Sequence, residues 1–333
     1  MSNAGLERPR PIRKGAVLAV ALAGALCMPK SAEAQSYPFG PVKIVVPFPA
    51  GGPLDFVSRL LADGLSASLK QPFVVDNRPG AGGNIGTEAV AKAAPNGQTL
   101  LVVLDTPLTV NPWIYHALPF DPERDFSPIS IAAGFYQMLV AHPSVPVSSL
   151  REFVDFAKRQ RITYGSGGAS GSPGHLTMEY FRQQTGFDAV HVPYRGNAQV
   201  VTDLIGGQVQ AGFVATPGVV QHVRDGKLKG LAVSGSQRSS LAPDVPTVSE
   251  SGYRGFDVGF YIVVLAPAGT PQPIRALLER EVRQVLAHAE VKARLRAQEL
   301  EPIASTSEEA RARLKATAAR WREVVKAANI RPE

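Results

Sequence analysis

Two glycine-rich stretches are the parts of this chain best suited to chemistry, "PAGGPLD" at 49–55 and "GSGGASGSPGH" at 165–175. Glycine lets successive backbone N–H groups turn inward as a concave nest, and a helix start adds unpaired N–H groups carrying about half a unit of positive charge. The guest such a loop favours is an anion, and no arginine is needed to hold it. Each stretch follows a strand-like run and opens a helical one, and one lies in each half of the chain. Facing each other across a cleft, the two would clamp a carboxylate from both sides. Either loop alone could equally be a space-saving turn; the matching positions favour a site. "LDTP" at 104–107 and "PYRGN" at 193–197 hold the same strand-to-helix position, where open α/β sheets bind ligands.

An acid inside an anion site needs an explanation, and Asp55 has two. At a helix start its carboxylate can accept backbone N–H groups and fix the loop shape, or it can contact a ligand hydroxyl, ammonium or bridging water. We favour the scaffolding role. His175 could donate to a bound anion or serve as a plain polar residue at a helix start, and His191, inside a strand, reads as a core or flank histidine. No two of the six histidines have metal-ligand spacing.

Enzyme signatures are missing. "GAGGNIG" at 80–86 places Ile85 where a dinucleotide fingerprint needs glycine, no GxxxxGK[ST] occurs, and Ser166, Ser170 and Ser172 do not form a GxSxG elbow. No general base stands at a recognisable distance from any loop serine.

The elements that position these loops alternate. "VKIVVPF" (42–48) is a continuous apolar run expected of a buried parallel strand, and Leu54, Val57, Leu61, Leu65 and Leu69 form a helical stripe after it. Strand "FVVDN", helix "TEAVAKAA" and strand "TLLVVL" complete a first series. A second series begins near 136 and runs through "ITYGS", "AVHVPY", "VQAGFVAT" and "KGLAVSG" with helices between. Such alternation predicts parallel sheets covered by helices on both faces. After "GFYIVVLAP" (259–267) come two long amphipathic helices, 273–295 and 307–329. We expect two crossings between domains, near 131–136 and 258–262, with both helices packed on the first domain. The division is 35–135 with 261–333 as domain 1 and 136–260 as domain 2, hinged at the crossings.

Residues 1–34 read as an export signal: Arg8, Arg10, Arg13 and Lys14 precede the run "GAVLAVALAGALCM", and "AEA" at 32–34 fits a cleavage site, so the mature chain begins near Gln35. That apolar run is 14 residues long, short of the roughly 20 that span a bilayer. The single cysteine, Cys27, falls inside the signal, and the bulky Leu26 before it argues against lipid attachment. The mature protein then has no thiol nucleophile, disulfide or cysteine metal site. Of the formal +7 charge, three units leave with the signal, and the remaining basic residues are scattered beside acids, which excludes a nucleic-acid surface.

Seven stretches in order resemble the Bug family, the periplasmic solute-binding proteins of tripartite tricarboxylate transporters. They are "YPFGPVKIVVPFPAGGPLDFVSRLLADGL", "VVDNRPGAGGNIGTEAVAKAAPNGQTLL", "LPFDPERDFSPIS", "YGSGGASGSPGHLTMEYF", "VHVPYRGNAQVVTDLIGGQV", "LAPDVPTVSESG" and "LAPAGTP". The resemblance spans essentially the whole mature chain. It implies a two-domain α/β periplasmic binding protein of Venus-flytrap type, type II-like, each domain a mainly parallel sheet flanked by helices. Such a protein is a monomer without cofactor or catalysis that closes on a small carboxylate or dicarboxylate and delivers it to a membrane permease. The family's carboxylate-holding loops match Phe48, Ala50, Gly51 and Asp55, and Ser166, Gly168, Ala169 and Ser170. The far end of the ligand would be read around Asp105, Thr106, Tyr194, Arg195 and Thr216.

Three departures from the family pattern bear on the ligand. Pro53-Leu54 stands where Gly-Thr is frequent, Asp105-Thr106 replaces a small polar run, and the segment around Tyr261 lacks a frequent tryptophan. Leu54 in place of a hydroxyl favours an aromatic or aliphatic acid. The competing readings are an exported hydrolase using a loop serine and a sensor whose closed form docks on a membrane signalling protein.

Overall fold

The apolar run at 42–48 becomes strand β1 (Val42–Val46), buried at every position except Lys43. A computed structural model describes residues 37–168 and 170–331, with Met1 and Gly5 besides; nearly all of the stretch read as an export signal, with Cys27, and Ala169 lie outside the described residues. The leucine stripe forms α1 (Pro53–Leu69), followed by β2 (Phe73–Asn77), α2 (Asn84–Ala91) and β3 (Thr99–Leu104). β1 pairs in parallel with both β2 and β3, as alternation with helices requires. Two short helices, α3 (Thr106–Thr109) and α4 (Asn111–Ile114), then lead to β4 (Phe126–Ala141).

β4 is 16 residues long and is the spine of the molecule. It begins ten residues before the second series anticipated at 136. Pro128 sits at an irregularity in its register, where a residue without an N–H is tolerated. From Phe126 to Tyr136 it runs antiparallel to β9 (Gly259–Pro267), and from Gln137 to Ala141 it lies between β7 (Ala211–Ala215) and β8 (Lys229–Val233). The second half is built from α5 (Leu150–Arg159), β5 (Ile162–Gly167), α6 (Pro173–Thr185), β6 (Ala189–Tyr194), α7 (Asn197–Ile205), β7, α8 (Val220–Arg224) and β8. One curled sheet results, ordered β2-β1-β3-β9-β4-β7-β5-β6. Each half keeps three parallel strands, β2-β1-β3 and β6-β5-β7, and the long strands between them are antiparallel, so the sheet is mixed. The chain passes between halves inside β4, at Tyr136–Gln137, and again at the start of β9.

After β9 come α9 (Gln272–Ala287), α10 (Ala289–Arg296), β10 (Glu301–Pro302), paired with β4, and α11 (Ser307–Ala328). The single helix expected over 273–295 is broken at His288, whose ψ of 133° is extended. In an unbroken helix Leu295 would point about 180° away from Leu286. The break returns both to the first-half core. α11 reaches further than the first half: Ala310 packs in the first-half core, whereas Trp321, Val324 and Val325 enter the core of the second. Trp321 stacks on Phe260 with ring centroids 5.6 Å apart, a contact whose removal by truncation to alanine costs about 3–5 kcal/mol. Among the described residues no helix is long and apolar enough to cross a membrane.

Candidate ligand-binding site

A cavity of about 740 Å³ lies between the two halves, and residues of both glycine-rich loops line it. Three helices start on its wall. α1 opens at Gly52, α6 at Ser172 and α7 at Gly196, and none of the three has a side-chain cap. Their first-turn N–H groups therefore keep their capacity for an acceptor. α5 and α11 differ: Ser149 and Thr306 cap them by accepting the N–H groups of Glu152 and Glu309. Ser172 is a residue type that normally caps, but its hydroxyl donates to Ser166 Oγ instead, at 3.3 Å.

The first loop is braced from within. Asp55 is buried, and its Oδ2 accepts from Gly51 N at 3.0 Å and Arg59 Nε at 2.9 Å, while Oδ1 accepts from Arg59 Nη2 and Asn77 Nδ2, each at 3.1 Å. Burial raises the carboxyl's pKa, but these donors from Arg59, Gly51 and Asn77 outweigh it and hold the group below the usual range. Its acceptor capacity is thus spent on scaffolding. Gly51, whose N–H is taken, shapes the turn, while Phe48 and Ala50 face the cavity.

In the second loop Gly168 and Ser170 line the cavity, and Ala169 between them lies outside the described residues. Gly168 has φ of +109°, and a Cβ there would meet Ser172 Cβ at 2.9 Å, so only glycine fits the turn. Its N–H donates to Tyr194 O at 2.8 Å, while the Tyr194 hydroxyl donates to Asp203 at 2.8 Å. Tyr194 thereby supports the loop from behind. Ser166 is fully buried with its Oγ 2.7 Å from His191 Nε2. A Ser–His pair therefore exists, although the sequence offered no recognisable partner. Ser166 does not line the cavity, so the pair gives a substrate there no nucleophile.

His175 stacks on His191 with ring centroids 3.8 Å apart and accepts Gly171 N on Nδ1 at 3.2 Å. Burial, followed by the neighbouring His191 and Arg182, pushes it down to about 3, so it stays a neutral acceptor. It holds the loop and does not charge toward the ligand.

Of the residues expected at the far end, Thr106 and Arg195 line the cavity. Thr216 is buried and donates to Tyr136 O at 3.3 Å, tying the second half to the crossing strand. Asp105 is fully buried against β9: its N–H donates to Tyr261 O at 2.8 Å, Oδ1 accepts Tyr261 N at 3.2 Å, and Oδ2 has no partner. Burial pushes its pKa up to about 7. The sequence did not point to Phe135 or Leu300, which with Phe48, Leu54 and Leu104 form an apolar patch beside the polar Asn111, Gln137, Asn197 and Gln298. Phe135 lies in mid-strand and Leu300 after a helix, where apolar residues carry no site signal. Among the described residues no group of three or more His, Cys, Asp or Glu could hold a metal ion.

Two α/β halves joined through a shared sheet and lining one cavity define a two-domain periplasmic binding protein fold. The model of the tripartite tricarboxylate transporter family receptor matches residues 57–330, so the chain belongs to that family. The family is a solute-binding receptor and not an enzyme. The chain is 37% identical over 297 residues to Protein BugT of Bordetella pertussis, covering 88% of this chain and 91% of that one. The solved structure of R. palustris Rpa4515 with adipate shares 32% identity and a TM-score of 0.78, covering 89% of this chain and all of the other. MatC of Rhodopseudomonas palustris with bound malate shares 30% identity and a TM-score of 0.74, covering 87% of this chain and 100% of the other.

Proposed function

We propose that the mature protein is a periplasmic receptor that captures a small carboxylate with an apolar body, closes its two domains over it, and delivers it to the membrane permease of a tripartite transporter. The observation that carries this reading is the convergence of three uncapped helix starts, α1, α6 and α7, on one cavity that also carries an apolar patch of Phe48, Leu54, Leu104, Phe135 and Leu300. A carboxylate completes the N–H groups, and an aliphatic or aromatic body covers Leu54, Leu104 and Leu300. Adipate and malate, bound by two relatives, are carboxylates. The bodies that move are 35–135 with the segment from 261 to the start of α11, and 136–260 with the end of α11, the hinge lying at β4, β9 and α11, and the protein acts as a monomer exported with its signal removed.

The test is calorimetric titration of the mature chain, refolded once to strip carried ligand, with benzoate, terephthalate, adipate, malate and citrate and with the corresponding neutral amides. Saturable binding of an acid with an apolar body, and none of its amide, is expected. An amide bound as tightly as its acid would overturn the proposal.

A further inference from the structure

Just beyond α10, three consecutive residues face in two directions. Gln298 and Leu300 line the cavity, while the carboxylate of Glu299 between them reaches the opposite half. There it accepts Ser239 Oγ on both oxygens at 2.8 Å and Leu241 N on Oε1 at 2.9 Å. The segment belongs to the first half, since β10 follows it and pairs with Ala133 and Gly134 of β4; Ser239 and Leu241 follow β8 of the second. Among the described residues, these bonds join the two halves beside the cavity wall formed by Gln298 and Leu300, just before β10 pairs with the crossing strand β4.

Glu299 also has φ of +54°, in the left-handed region that favours glycine. Its N–H donates to Arg296 O and the N–H of Leu300 to Leu295 O, so the turn after α10 sets this conformation. A glutamate here bears a conformational cost that glycine would avoid, and its carboxylate gains two donors, the Ser239 hydroxyl and Leu241 N–H, that glycine could not hold.

We propose that residues 298–300 form a clasp that couples the fit of the ligand to closure of the domains. Gln298 and Leu300 read the ligand's body, and a ligand that lets them settle brings Glu299 onto Ser239 and Leu241. A ligand that displaces Leu300 withdraws the carboxylate and leaves the domains apart. The clasp thus selects ligands by whether they permit closure, and it rests on reading the cavity as the ligand site.

The experiment uses the mature chain, cysteine-free once the signal is removed, with spin labels at Ser68→Cys and Lys158→Cys to follow the distance between halves, with and without 10 mM adipate. Wild type, Glu299→Gln, Glu299→Gly and Ser239→Ala are compared, with urea unfolding to confirm that each is folded. The clasp predicts a smaller closed population for each variant, and a double variant of Glu299 and Ser239 no more open than either single one. Glu299→Gly separates the clasp from backbone strain, because it relieves the strain yet still opens the protein. Unchanged populations in folded variants overturn the clasp, and if adipate still closes all of them equally, the carboxylate reading survives its loss. Opening by the variants without any response to an acid supports the clasp and counts against the carboxylate reading.

Discussion

Asp55 Oδ2 stands 3.0 Å from the backbone nitrogen of Gly51, closing the first glycine-rich loop on itself at the start of α1. The same carboxylate holds Arg59 and Asn77, so one side chain joins the loop, the helix and the end of β2.

Replacement Asp55→Asn removes the charge that Arg59 needs and puts a donor where Gly51 N and Arg59 Nε now donate. We expect a loss of about 1–3 kcal/mol in stability and at least roughly tenfold weaker acid binding, since the loop no longer holds its shape. Urea unfolding and calorimetry check the two effects. Because the folded pKa of Asp55 is depressed, its contribution is present above the unfolded value near 3.9 and is lost as pH falls through the folded value. The stability gap between wild type and variant should therefore narrow in acid.

Asp105 behaves oppositely. Its folded pKa is raised to about 7, so the folded state binds a proton that the unfolded state releases near 3.9, and stability falls as pH rises between these values. Asp105→Asn keeps an acceptor for Tyr261 N and abolishes this loss. The variant should exceed wild type by roughly 1–4 kcal/mol at pH 8 and converge with it near pH 4. A pH-independent difference in urea midpoints would contradict the assignment.

The start of α6 rests against the middle of β7: a Cβ on Gly174 would lie 2.4 Å from Phe213 O, a backbone atom with no freedom to move aside. Gly174→Ala should displace the α6 N-terminus from the cavity. We expect about 1–3 kcal/mol lower stability and a loss of acid binding beyond what the residual fraction folded accounts for.

Leu54 contributes to the apolar wall of the cavity at the second position of α1. Leu54→Thr should weaken an apolar acid by about 1–3 kcal/mol and improve a hydroxylated acid such as malate or citrate relative to it. Competition calorimetry gives the ratio, and an unchanged ratio would remove Leu54 from specificity.

The alternating apolar and amphipathic runs made most elements legible, because a buried parallel strand and an amphipathic helix each impose a period on the sequence. β2, β3, β6 and β9 fall at the residues read from the sequence. The full length of β4 was not legible, since its pairing changes from β9 to β7 and β8 along its course and no local pattern encodes a change of neighbour. Both glycine-rich loops could be found because backbone that must bend leaves glycine behind. Whether a loop residue faces the cavity or stands behind it could not be read: Ser166 and Ser170 are four residues apart, yet one is buried against His191 and the other lines the cleft. Glu299 gave no signal, because a lone glutamate after a basic helix reads as solvated surface.

One carboxylate of the ligand is expected to sit between the two glycine-rich loops. A crystal structure of the mature chain with the tightest acid from the titration tests it most directly. Carboxylate oxygens are expected about 3 Å from backbone N–H groups at the starts of α1 and α6, directly or through one water, with the apolar body against Leu54, Leu104 and Leu300. An acid whose only carboxylate contact is the Arg195 guanidinium, with its apolar end toward the loops, would contradict it.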